Sequence, residues 1–158
     1  MKTIDEIERI TNLAHAGQRW LRIHERGRVK CREHSLPLLG ITMGPDDPTL
    51  PTLGLFGGVH GLERIGSQVV IHVLESLVKR LSWDAVLQSQ LERIRIVAMP
   101  VINPGGLLLR RRANPAGVDL MRNAPVNAVQ QPTPLVGGHR ISNWLPWYRG
   151  KEGETMEP

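Results

Sequence analysis

Cysteine is almost absent from this chain: the single Cys31 in 158 residues cannot close a disulfide within the molecule. A cystine-stapled secreted fold is thereby excluded, and a reduced, cytoplasmic setting is expected. No uncharged apolar run approaches the roughly 20 residues that a bilayer crossing needs, so no membrane partner is expected. The N-terminus, Met1-Lys2-Thr3-Ile4-Asp5-Glu6, reaches acidic residues before any apolar stretch and does not read as a signal peptide. Aromatic residues make up 4% of the chain, with one Phe and one Tyr. Charge of one sign is also scarce, since Lys+Arg 20 against Asp+Glu 15 leaves +5, too small an excess to name a nucleic-acid partner. What is present suffices for a core. With 41% hydrophobic and 22% charged residues the chain is not wholly disordered.

Ile4, Ile7, Ile10, Leu13 and Trp20 recur at helical spacing behind a Thr3/Glu6 capping box, which predicts an amphipathic helix over residues 4–20. Arg22 to His34 alternates charge with Ile23 and Val29 and reads as an edge strand and turn. His24, Cys31 and His34 within it lack the compact paired spacing of a zinc cluster. Leu36 to Met43 reads as a strand and Gly44 to Pro51 as a loop. Thr52 to Gly57 is a second apolar run, and from Ile65 the sequence Val69, Val70, Val73, Leu74, Leu77, Val78, Leu81 fits a buried helix. Asp84 caps a shorter helix with Leu87 and Leu91, and Ile94 to Ile102 reads as a core strand.

Strand, helix, strand in that order predicts an α/β protein with a partial mixed, largely parallel sheet flanked by helices. Ligands of such sheets sit beyond the carboxyl ends of the strands. Two segments fall there, Gly58 to Glu63 and Asn103 to Asn123. The chain is expected to divide into helix and strands (1–50), a motif-bearing centre (51–123) and a loop-rich tail (124–158).

His60-Gly61-Leu62-Glu63 spaces an imidazole and a carboxylate so that both can reach one metal ion. The spacing alone carries little weight, because His72-Val73-Leu74-Glu75 repeats it in mid-helix. Context separates them: His60 follows a strand and the flexible Gly57-Gly58 pair, where ligands can point into a cleft. The other constellation runs from Asn103-Pro104-Gly105-Gly106 through Arg110-Arg111-Arg112 to Asp119 and Arg122-Asn123. Arginines beside a strand end suit a carboxylate or a developing oxyanion, but three in a row also read as a solvated basic turn or an anion-binding patch.

Together, Gly57-Gly58-Val59-His60-Gly61-Leu62-Glu63-Arg64-Ile65-Gly66, Asn103-Pro104-x-Gly106 and Arg112-x-Asn114-x-x-Gly117-Val118-Asp119-Leu120-x-Arg122-Asn123 resemble the zinc carboxypeptidase family of metallopeptidases. The resemblance implies that His60 and Glu63 are the first two ligands of a Zn2+ ion. It implies that Arg112 polarises the scissile carbonyl, and that Arg122, with Asn123, binds a carboxylate of a peptide or acyl-amino-acid substrate. Zinc would acidify a bound water, while a guanidinium would stabilise charge that appears only in the transition state.

Two departures from the family pattern stand out. Met121 occupies the place of an Asn, and a thioether cannot donate a hydrogen bond to a substrate carboxylate. The family's third ligand, a His, and its general-base Glu lie well downstream in a domain roughly twice as long. His139, in Gly137-Gly138-His139-Arg140, is a poor substitute, and Glu152, Glu154 and Glu157 sit in a polar tail. The expectation is therefore the N-terminal half of a hydrolase domain, inactive alone and awaiting its C-terminal half or a complementing chain. The competing readings are a non-catalytic protein binding an anion or nucleic acid through Arg110, Arg111 and Arg112, and an inactive remnant or subunit of the same family. The Trp144-Leu145-Pro146-Trp147 strip reads as a cleft border or a docking strip.

Overall fold

The computed structural model describes residues 4–124, 129–130, 133 and 135–151. The first helix, α1, spans Asp5–Gly17 and buries Ile10 and Leu13. It stops short of the expected end, and Trp20 lies in the turn that leads into the sheet. Thr3 lies outside the described residues. Glu6, expected to close a capping box, is instead 1% exposed and accepts both Arg64 Nε and Nη2 at 2.7 Å.

Strands β1 (Leu21–Cys31) and β2 (His34–Met43) form a long antiparallel hairpin turned at Arg32, whose φ is 53°. Leu36 and Leu38 point to one face of β2 and Ile41 and Met43 to the other; all four are buried, so β2 is covered on both sides. Strand β3 (Thr52–Phe56) leads into helix α2 (Arg64–Leu81), then the short α3 (Ala85–Leu91) and strand β4 (Arg95–Met99). Asp84 caps α3 as its sequence predicts, accepting from Leu87 N at 2.9 Å.

The sheet order is β1-β2-β4-β3. The mixed α/β architecture is as expected, but the description "largely parallel" needs correction: β2–β4 is antiparallel and parallel pairing is confined to β3–β4. The two-residue turn at Arg32 makes β1 and β2 antiparallel as well, and the parallel β3–β4 pair alone is joined by a helical crossover.

Ile71, Leu74 and Leu81 of α2 meet Ile41 and Met43 of β2 and Ile10 of α1 in one core. Leu74 is fully buried, so Leu74→Ala is expected to cost about 2–5 kcal/mol, read as a lower urea midpoint. A loss under about 0.5 kcal/mol would show that this core does not form. Among the described residues no helix is long and apolar enough to cross a membrane.

Candidate active site

The two segments expected at strand ends do lie side by side. Beyond β3, Gly57 N donates to Met99 O and Gly57 O accepts from Ile102 N, both at 3.0 Å. Gly58 O accepts from Asn103 N at 2.9 Å. Gly58 has φ 65° and any Cβ there would collide with Ser67 Oγ, which explains the glycine. A turn closed by Glu63 N donating to His60 O (3.1 Å) then delivers both side chains just before α2 begins. The pair between the buried Glu6 and the half-exposed Arg64 fastens that first residue of α2 to α1.

Beyond β4, Asn103 caps helix α4 (Pro104–Leu109), accepting from Gly106 N at 2.7 Å and donating to Val59 O at 3.2 Å. One side chain thus joins the two loops. Arg110, at φ 54°, ends α4. The following loop is closed by Asn114, whose Oδ1 accepts from Val118 N at 2.9 Å, and leads to a single 3-10 turn at Leu120–Arg122.

These loops assemble a closed ring of four side chains. His60 Nδ1 lies 3.1 Å from Glu63 Oε2. Arg112 Nη1 donates to Glu63 Oε1 at 3.2 Å, and its Nε donates to Asp119 Oδ2 at 2.9 Å. Asp119 Oδ1 is 3.4 Å from His60 Nε2 and accepts from Met121 N at 3.2 Å. Arg122 Nη1 joins from outside the ring, donating to Asp119 Oδ2 at 2.8 Å.

Asp119 is the hub, and sequence reasoning assigned it no role. At 1% exposure, burial is the largest influence on its carboxyl and pushes the pKa up. The Arg112 hydrogen bond and the charges of Arg112, Arg122 and His60 together outweigh burial and hold it below the usual carboxylate range. A signal was present in the sequence, because an Asp three residues before one Arg and seven after another can gather both when the intervening chain loops back.

The other expected residues are placed differently from one another. Asn123 is buried and donates to Arg149 O at 2.7 Å. Met121 is exposed. Arg110 and Arg111 point to solvent while Arg112 turns inward, so the three arginines do not act as one patch. His139 uses both ring nitrogens within the tail, Nε2 toward Pro146 O (2.8 Å) and Nδ1 accepting from Ile141 N (3.2 Å), so it is no metal ligand here. His72 is a surface residue whose neighbour Glu75 is held by Arg9. His24 contacts Thr42 Oγ1, and Cys31 Sγ faces Gly105 O.

The sequence model of the zinc carboxypeptidase family matches residues 27–150. The chain belongs to that family. Carboxypeptidase SOL1 of Arabidopsis thaliana is 31% identical over 75 residues, which are 48% of this chain and 15% of that protein. Human carboxypeptidase D is 28% identical over 119 residues, 69% of this chain and 9% of that one. The metallo-carboxypeptidase of Burkholderia cenocepacia superposes with a TM-score of 0.60 at 23% identity, covering 73% of this chain and 32% of that chain. Only a small part of each longer relative is therefore matched.

In this family member a cavity of about 210 Å³ opens beside the ring, lined by Arg111, Arg112, Asp119, Trp144, Leu145 and Trp147. The aromatic strip does border the site. The family name implies zinc, and His60 with Glu63 offers two donors of suitable chemistry at close approach. Among the described residues no group of three or more His, Cys, Asp or Glu side chains could hold a metal ion. A catalytic zinc uses three protein ligands, so these residues do not complete a zinc site.

Proposed function

We propose that the ring of His60, Glu63, Arg112 and Asp119 is half of the site of a metal-dependent hydrolase of peptide or amide bonds, acting on substrates that carry a carboxylate. One observation supports this above the others. The imidazole of His60 lies between two carboxylates, Asp119 at Nε2 and Glu63 at Nδ1. A cation held by Nδ1 and the solvent-accessible Glu63 would leave the imidazole proton on Nε2, where it faces Asp119, itself anchored by Arg112 and Arg122. That is how a histidine and a carboxylate are prepared to bind one cation together.

In this reading Arg112 serves a developing oxyanion, for which it exchanges Glu63 for the substrate oxygen while keeping Asp119 as its anchor. Arg122 serves the substrate carboxylate. Asn123 contributes by holding the 149–150 segment behind it. Met121 adds no donor, so the carboxylate clamp rests on Arg122.

The 158-residue chain alone is expected to retain zinc weakly and to show no zinc-dependent hydrolysis of an acyl-amino acid. His60→Ala and Glu63→Ala are each expected to lower zinc affinity about tenfold or more, measured by competition with a chromophoric chelator. Unchanged affinity in both variants would sink the assignment, and robust hydrolysis by the unmodified chain would show that a third donor and a base are already present.

A further inference from the structure

The formal charge of +5 is small for the whole chain, but it is not spread evenly. Residues 19–34 hold five arginines and one lysine against Glu25 and Glu33, a surplus of four, which leaves one for the rest of the chain. The fold lays this segment along one border of the molecule. It runs from the turn after α1 along β1, an edge strand of the sheet, to the hairpin turn at Arg32.

Arg19, Arg22, Arg26, Arg28, Lys30 and Arg32 are all exposed. Among the described residues only Arg28 of these six meets a carboxylate, that of Glu25 at 2.9 Å. Helical arginines differ: Arg9, Arg64 and Arg80 each hold an acidic partner at 2.7 Å. One or two charges and the bulge between Glu25 and Gly27 would suffice to keep this edge from pairing. Five cations without an acid repel one another instead, and an anion from outside relieves them.

The bulge also sets where the cations point. Before it Arg22 pairs with Thr42, and after it Arg28 and Lys30 pair with Pro37 and Ser35, so the even-numbered side chains change face. The edge is therefore cationic above and below over about 30 Å. Its apolar residues Leu21, Ile23 and Val29 are buried or half-buried and offer a protein partner no anchor. A phosphodiester chain needs only the charge, and the arginine fork matches phosphate. At the start of β1 a cavity of about 260 Å³ opens between Arg19, Trp20, Arg22 and the buried Leu91, with Glu92 also lining it. The Arg19 guanidinium carbon lies 5.3 Å from the centre of the Trp20 ring. A recess with an aromatic wall beside a cationic track suits an unpaired base, which a duplex does not present.

We propose that the β1 edge binds single-stranded nucleic acid, with phosphates along Arg22, Arg26, Lys30 and Arg32 and one base in the cavity beside Trp20. Sequence is not read, because the surface supplies charge and one stacking position only. Strand β2 separates this edge from β4, whose end carries part of the ring, and the proposal does not rest on the hydrolytic reading.

The test is fluorescence anisotropy of the 158-residue chain with a labelled oligothymidylate of about 12 nucleotides, over a range of salt concentrations. Binding is expected to weaken with salt at a log–log slope of about −3, from roughly four phosphates at about −0.7 each. Joint Arg22→Gln and Arg26→Gln substitution is expected to lower affinity about tenfold and to reduce the slope by about 1.4, with an unchanged urea midpoint. The same change at Arg110 and Arg111 is expected to alter affinity less than about twofold. An abasic strand of equal length is expected to bind about fivefold more weakly at the same slope. No binding at low salt overturns the proposal, as does equal affinity for the abasic strand. Equal affinity for a duplex overturns it as well, and equal competition by an oligoglutamate peptide would assign the edge to an acidic protein instead.

Discussion

Asp119→Ala is expected to lower folding stability by about 2–3 kcal/mol at neutral pH. The carboxylate is 1% exposed and holds Arg112 and Arg122 at 2.9 and 2.8 Å, so removing it leaves two guanidinium groups facing each other without their shared anion. Their side chains are 34% and 27% exposed and can recover part of the lost interaction from water, which keeps the cost at or below the roughly 3 kcal/mol lower bound for a fully buried pair. Asp119→Asn preserves shape and the acceptor for Met121 N but not the charge, and is expected to fall between the two.

The pH dependence has a definite sign. The carboxyl is held below its ordinary value in the folded protein, so its stabilisation is complete above the unfolded value near 3.9 and is lost as pH falls through the lower folded value. Urea midpoints of the native chain and Asp119→Ala should keep a constant separation from pH 7 down to about pH 4 and converge below that. Convergence already between pH 7 and pH 5 would mean that the carboxyl is raised, and the hub description would fail.

Gly61→Ala is expected to be as damaging, by sterics rather than charge. A Cβ on Gly61 would lie inside the backbone where Gly106 joins Leu107, the middle of α4, and backbone cannot rotate away as a side chain can. Either α4 or the His60–Glu63 turn must shift. We expect a stability loss of about 3 kcal/mol or more, together with a loss of zinc retention comparable to that of His60→Ala, because the turn carries both donors. The comparison with Gly66→Ala is informative: the nearest atom to a Cβ there is Gly58 N at 3.5 Å, ordinary contact, and that variant should be nearly neutral. Equal behaviour of the two variants would show that the close approach of the two loops is not real.

Local features were legible because each rests on neighbours in the chain. The apolar period of α2, the Asp84 cap, the β2 strand and the Gly44–Pro51 loop were read from spacing, and their bounds moved by a few residues at most. Helix α1 ended early, at Gly17, because the close approach of Val78 to that glycine and the turn to Leu21 decide its length, and neither is a neighbour effect. Glu6 was misread for a related reason. A carboxylate three residues into a helix satisfies the capping pattern, yet a guanidinium 58 residues away offers two charge-assisted hydrogen bonds and wins.

By itself the sequence determined which chemistry was available: a histidine and a glutamate on one turn, arginines within a strand-end loop, and a motif order that already pointed to the zinc carboxypeptidases. Tertiary structure decided what those groups do to one another. Asp119 becomes the centre of the site because two strand ends place His60, Arg112 and Arg122 around it, and His139 is removed from the ligand candidates because its ring nitrogens bond within the tail. The division follows from range: spacing along the chain specifies turns and helices, whereas a buried charge takes its role from whichever partners the sheet brings within about 3 Å.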